Sequence, residues 1–104
     1  MSKVEPTVFI VDDDENVRTS LGRLLEAVGL KARVFASGRE FLDSYDSAEP
    51  VCLVLDIRMP GISGLALQEK LAEYKDSLPI IFITGHGDVA TATEALKSGA
   101  VDFI

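Results

Sequence analysis

Oxygen-bearing side chains stand directly after three apolar runs of this sequence. Val8-Phe9-Ile10-Val11 is followed by Asp12, Asp13 and Asp14, and Val51-Cys52-Leu53-Val54-Leu55 is followed by Asp56. Pro79-Ile80-Ile81-Phe82-Ile83 is followed by Thr84. If Asp12, Asp13 and Asp56 meet, their charges conflict: two unit charges ~4 Å apart repel by ~4 kcal/mol at an effective dielectric of ~20. Such a group needs a proton or a cation. A hard divalent ion suits oxygen ligands, and Mg²⁺ characteristically keeps several waters while bridging one or two carboxylates to a phosphate. A carboxylate beside such an ion can act as a nucleophile toward phosphorus and form an aspartyl phosphate. The Thr84 hydroxyl and nearby backbone N–H groups would then hold the phosphoryl oxygens. The plainer reading is helix capping, which Asp14 or Glu15 can perform alone. For the set of three acids capping is the weaker account, because charge gathered in one crevice is costly unless pairing or function offsets it.

Positioning these groups requires particular elements. The first three apolar runs are continuous rather than alternating, as in parallel strands covered on both faces. Val101-Asp102-Phe103-Ile104 makes a further run, and Ala32-Arg33-Val34-Phe35-Ala36 suits a sheet edge. Between the runs lie helical patterns. Val17, Leu21, Leu24, Leu25 and Val28 share one apolar face, with Gly29 where a helix C-cap belongs. Ser37-Gly38-Arg39-Glu40 reads as a capping box before Phe41, Leu42 and Tyr45. Ser63 opens a helix carrying Leu67, Leu71 and Tyr74; Asp88 opens another carrying Val89, Ala92, Ala95 and Leu96 and ending at Gly99. Strand–helix alternation with short loops predicts a doubly wound parallel α/β sheet. Right-handed crossovers then place ligands beyond the carboxyl ends of the strands, where the strand order reverses. Asp12, Asp13, Asp56 and Thr84 are all expected at that rim.

Composition narrows the function. The chain has 104 residues and a net charge of −7, from 10 Lys and Arg against 17 Asp and Glu. One domain is expected, and nucleic-acid binding by this segment is not, since non-specific affinity comes from basic residues displacing phosphate counterions. Cys52 is the only cysteine, which excludes an intrachain disulfide and a multi-cysteine zinc site; within an apolar strand it reads as an inert core residue. Neither a secretory signal nor an apolar run of membrane-spanning length is present, so a cytoplasmic protein without membrane contact is expected. Gly85-His86-Gly87 lacks the Gly-Lys-Ser/Thr of a phosphate-cradling loop, and His86 reads as a surface-loop residue. Gly61 and Gly64 read as turn residues after Pro60.

Taken together, these segments resemble a known family. Val11-Asp12-Asp13-Asp14-Glu15, Leu55-Asp56-Ile57-Arg58-Met59-Pro60-Gly61-Ile62-Ser63-Gly64 and Ile83-Thr84-Gly85-His86-Gly87-Asp88 are similar to the receiver domain of two-component response regulators. With Ala100-Val101-Asp102-Phe103-Ile104, they are most similar to the FixJ-type branch. The resemblance runs from about Val8 to the last residue and assigns 1–104 to one receiver domain. It implies a flavodoxin/CheY-like fold with strand order 2-1-3-4-5. It further implies that Asp56 accepts a phosphoryl group from a phosphohistidine of a sensor histidine kinase. Mg²⁺ would be held by Asp12, Asp13, Asp56 and the backbone carbonyl of Arg58, with Asp13 the more direct ligand of the acidic pair. Thr84 would match the hydroxyl that swings to the phosphoryl oxygen, and Phe103 the aromatic switch that follows it. Such a domain is a regulatory phosphoacceptor rather than a turnover enzyme, and in longer relatives it controls a transcriptional output domain.

The sequence departs from the family pattern at its end. The family's lysine, the proline after it and the fifth helix would follow Ile104, so the resemblance implies a fold truncated before the last helix, with no catalytic lysine. Poor phosphoryl uptake or switching is expected of this form. Four or five uncovered apolar side chains are worth ~6–15 kcal/mol, which makes self-association the expected remedy. Two rival functions belong to other classes. A Mg²⁺-dependent phosphohydrolase with an aspartyl nucleophile would, in the haloacid-dehalogenase type, want an Asp where Arg58 stands. A phosphorylation-independent interaction module would need none of this chemistry.

Overall fold

The computed structural model describes residues 7–44, 51–57, 59–72, 79–83 and 102–103. Its elements are β1 (Thr7–Val11), α1 (Glu15–Ala27), β2 (Lys31–Phe35), α2 (Gly38–Ser44), β3 (Val51–Asp56), α3 (Gly64–Ala72), β4 (Ile80–Ile83) and β5 (Asp102–Phe103). The strands form one sheet of order β2-β1-β3-β4-β5, and every pairing is parallel. The sequence-derived strand order is thus the observed one, with β2 at an edge. Strand order reverses at β1, whose neighbours are β2 and β3, so the crevice between the ends of β1 and β3 is the topological switch point.

Local chemistry explains the helix boundaries. The Asp14 carboxylate accepts a hydrogen bond from the Asn16 N–H at 2.8 Å and caps α1. At the other end, Gly29 adopts φ 84°, a left-handed conformation natural only to glycine. Leu30 N–H then donates to the Leu25 carbonyl at 2.9 Å and Gly29 N–H to that of Glu26 at 3.0 Å, a Schellman closure. The cap expected to open α2 is present with one change: Glu40 N–H donates to Ser37 Oγ, but the Glu40 carboxylate accepts from the Ala36 N–H rather than from that of Ser37, both at 3.1 Å. Ser63 Oγ accepts from the Ala66 N–H at 3.2 Å and opens α3. Tyr45, Tyr74 and the helix expected over 88–99 lie outside the described residues.

The core is built mainly on one face of the sheet. Phe9, Leu53, Leu55 and Phe82 pack there with Phe41 of α2 and Leu67 and Leu71 of α3. Phe9, Phe35 and Phe41 form a triangle of edge-to-face pairs, each with ring centroids 5.5 Å apart. The opposite face is covered less completely. Ile10 is fully enclosed, but Val8, Cys52, Val54 and Ile81 are half-buried. Cys52 is therefore less enclosed than a core position, and partial burial pushes its thiol pKa up.

Helix α1 departs from the expected inward stripe. Leu24 and Val28 are 61% and 67% exposed, while Val17, Leu21 and Leu25 are half-buried. Gly22 is the one fully buried residue of the helix. A Cβ added to it would stand 3.9 Å from Val34 Cγ1, so this residue sits over the edge strand β2. The helix rests on β2 and β1 along its glycine side, which turns the far flank of the stripe outward. Among the described residues, no helix is long and apolar enough to cross a membrane.

Phe41→Ala is expected to lower unfolding stability by about 3–5 kcal/mol, as removal of a fully buried aromatic does. Leu24→Ser should change it by less than about 0.5 kcal/mol, because the side chain is already in water. Urea denaturation followed by circular dichroism measures both.

Candidate functional site

Parallel pairing sets the site. Val11 of β1 is in register with Leu55 of β3, so Asp12 and Asp56 leave neighbouring strands at the same height. Asp12, Asp13 and Asp56 each offer a carboxylate oxygen, and these oxygens lie within 4.8 Å of one another. Their environments differ: Asp12 is buried, Asp56 half-buried and Asp13 exposed. Asp14, fourth of the acids named above, faces its own helix as the N-cap and stays out of the cluster.

Asp12 is held firmly. Its N–H donates to the Phe35 carbonyl at 3.1 Å, its Oδ1 accepts from the Asp14 N–H at 2.8 Å, and its carbonyl accepts from Arg18 Nη1 at 2.9 Å. Burial is the main force on its carboxyl group and raises the pKa. The Asp14 backbone N–H pulls it down, the charges of Asp13 and Asp14 push it up again, and a hydrogen bond with the Asp56 carboxyl group lowers it. The net shift is upward: the cluster favours a proton, and by the same electrostatics a cation.

Asp56 is placed by the backbone behind it. Ile57 N–H donates to the Ile83 carbonyl at 3.3 Å, and Gly64 N–H donates to the Ile57 carbonyl at 2.9 Å. A Cβ on Gly64 would stand 2.8 Å from Ile57 Cα and collide with the Asp56 carbonyl oxygen. Gly64 is thus required for close approach of α3 to the end of β3, not for a turn. Gly61, with φ 79°, is the residue whose turn conformation demands glycine. The role of Gly64 was not legible from spacing, because both glycines follow the same Pro60.

The donor set fits Mg²⁺. It consists of hard carboxylate oxygens gathered within 4.8 Å of one another, the ligand type that Mg²⁺ prefers. Arg58 and Thr84, and the side chain of Phe103, lie outside the described residues, as does His86. Their neighbours are placed: Ile83, immediately before Thr84, is in register with Asp56, and the backbone of Phe103 in β5 pairs with Phe82.

A family model for the response regulator receiver domain matches residues 8–104. The chain belongs to that family. Similarity to FixJ-type receivers is close. Response regulator protein TmoT of Ectopseudomonas mendocina is 46% identical over 103 residues, covering 99% of this chain and 47% of that protein. Transcriptional regulatory protein FixJ of Bradyrhizobium diazoefficiens is 40% identical over 97 residues, covering 93% and 47%. The crystal structure of FixJ-N is 45% identical with a TM-score of 0.88, covering 100% of this chain and 82% of that one. The receiver domain spans about half the length of the curated relatives it matches. Receiver domains generally bind Mg²⁺ at an acidic pocket, and this chain gathers Asp12, Asp13 and Asp56 into an acidic cluster.

Two tests follow from this geometry. Because Asp12 binds its proton more tightly in the folded chain, its own contribution to stability in EDTA is fully present below the ordinary value of 3.8 and is lost as pH rises through the window up to the raised folded pKa. Asp12→Asn should flatten that fall and raise metal-free stability at neutral pH by about 1 kcal/mol, a screened fraction of one like-charge contact. Thermal melts across pH, with EDTA and with MgCl₂, check this; only the wild type should gain from Mg²⁺. Gly64→Ala should cost about 1–3 kcal/mol through overpacking and weaken Mg²⁺ binding by displacing Asp56, read by denaturation and calorimetry.

Proposed function

We propose that this receiver domain accepts a phosphoryl group on Asp56, in a Mg²⁺-dependent transfer from a phosphohistidine of a sensor histidine kinase. The observation that carries the reading is the convergence of Asp12, Asp13 and Asp56 at the switch point, with Asp56 on the last residue of its strand. Asp56 Oδ forms the new P–O bond while the P–N bond to the donor histidine breaks, and that electron pair returns to the imidazole nitrogen. Asp12, Asp13 and Asp56 would hold the ion, with exposed Asp13 the more direct ligand of the acidic pair and the Arg58 carbonyl joining them as the family resemblance implies. Bound Mg²⁺ supplies charge neutralisation for the phosphoryl oxygens as the anionic carboxylate approaches.

The transfer replaces one carboxylate charge by roughly −2, with three strong acceptor oxygens. The Thr84 hydroxyl moves to one of these oxygens and leaves space that the Phe103 ring enters. The register of Ile83 with Asp56 and of Phe103 with Phe82 supports this, since the strand that precedes Thr84 in the chain lies beside the strand that carries Phe103. Phosphorylation then biases an equilibrium between two surfaces of the domain. In a longer parent chain that surface controls a transcriptional output, and kinase and regulator meet in the cytoplasm.

Incubation with acetyl phosphate and MgCl₂ should label the wild-type chain weakly but above background, as resolved by phosphate-affinity electrophoresis. Asp56→Asn or EDTA should reduce labelling to background. Labelling that survives in Asp56→Asn overturns the assignment, and steady turnover of a small phosphate ester would favour a phosphohydrolase instead.

A further inference from the structure

The Asp12 carbonyl belongs to the peptide plane that joins Asp12 to Asp13, and that carbonyl accepts a hydrogen bond from a side chain outside the acidic cluster. Arg18 Nη1 donates to it at 2.9 Å. Arg18 is also the first residue of α1 whose own N–H enters the helix ladder, donating to the Asp14 carbonyl at 3.1 Å. One residue therefore grips both ends of the Asp12–Asp14 turn, through its backbone at Asp14 and its guanidinium at Asp12. Further backbone ties are the Asp12 N–H to the Phe35 carbonyl and the Asp14 N–H to Asp12 Oδ1. The second of these closes a ring through the Asp12–Asp13 peptide, from which the Asp13 side chain departs, so the Asp12 carboxylate holds that plane from inside the turn and Arg18 holds it from outside. Asp13 itself is exposed, so packing does little to aim it.

Two effects of Arg18 on a divalent cation oppose each other. Its positive charge repels the ion, so losing the charge would tighten binding. Its hydrogen bond preorganises two ligands, so losing the bond would loosen it. Arg18 is only half-buried, which lets solvent and salt screen the charge, whereas a directional hydrogen bond to a carbonyl is not screened away. We propose that Arg18 is a positioning residue of the metal site: it orients the Asp12–Asp13 peptide so that both carboxylates meet Asp56. This rests on the reading that the three acids hold a divalent cation.

Calorimetric titration of the full chain with MgCl₂ separates the effects by sign, with melting temperatures in EDTA recorded beside it. Arg18→Met, which cannot donate, should weaken Mg²⁺ binding about tenfold, the scale seen when a partner that orients a metal ligand is removed. Arg18→Lys and Arg18→Gln, a charged and an uncharged donor, should both stay within about threefold of wild type. Unchanged or tighter Mg²⁺ binding by folded Arg18→Met overturns the proposal, as does a lowered melting temperature with no change in Mg²⁺ affinity. If Arg18→Met does not fold, the donors decide: Gln binding Mg²⁺ much more tightly than Lys means that charge alone acts. A wild-type chain that binds no Mg²⁺ removes the metal-site reading and the inference with it, a result distinct from any difference among variants.

Discussion

Mutual repulsion among three carboxylates is the constraint around which the rest of this receiver domain is arranged. Left to itself, a flexible chain would separate Asp12, Asp13 and Asp56, since nothing in their own chemistry draws them together. Strand pairing overrides that tendency. Two apolar strands locked side by side in parallel register leave their last residues no choice of neighbour, and the acids inherit the proximity of β1 and β3. Burial first, and the charges of Asp13 and Asp14 after it, raise the pKa of Asp12, and a group so disfavoured as a bare anion is receptive to a cation.

Holding charged groups in this way needs a stiff frame. It comes from the well-packed face of the sheet, where the Phe9, Phe35 and Phe41 triangle and the leucines of α3 surround the very strands that end in the acids. The opposite face, with its half-buried Val8, Cys52, Val54 and Ile81, is enclosed less completely. Backbone contacts finish the placement. Gly64 lets α3 press against the carbonyl of Asp56, and Arg18 ties α1 to the carbonyl of Asp12. Each wall of the pocket is thus braced from behind by the helix that follows its strand, at the main chain rather than at the reacting oxygens.

Much of this architecture was legible in the residues. Continuous apolar runs announced covered parallel strands, and Ser37 with Glu40, Ser63, Asp14 and Gly29 marked helix ends through hydrogen bonds reaching only a few positions along the chain. Such signals survive in a sequence because they are local. The exposure of Leu24 and Val28 was not legible, since periodicity reports a helix's apolar side but not which part of that side meets the sheet. Gly22 over Val34 decides that, and it is a contact between distant elements.

The sequence by itself determined the alternation of strands and helices among the described residues, their parallel pairing, and the placing of Asp12, Asp13, Asp56 and Thr84 directly after apolar runs, because alternation and handedness leave few ways to wind such a chain. Only the tertiary structure decided that Asp12, Asp13 and Asp56 share one pocket while Asp14 turns away to its helix, that Asp12 is the buried member, and that Gly64 and Arg18 brace the carbonyls behind the acids. These are distances between atoms far apart along the chain or facing different ways from one turn. Residue types constrain them only once strand register has brought the backbone together.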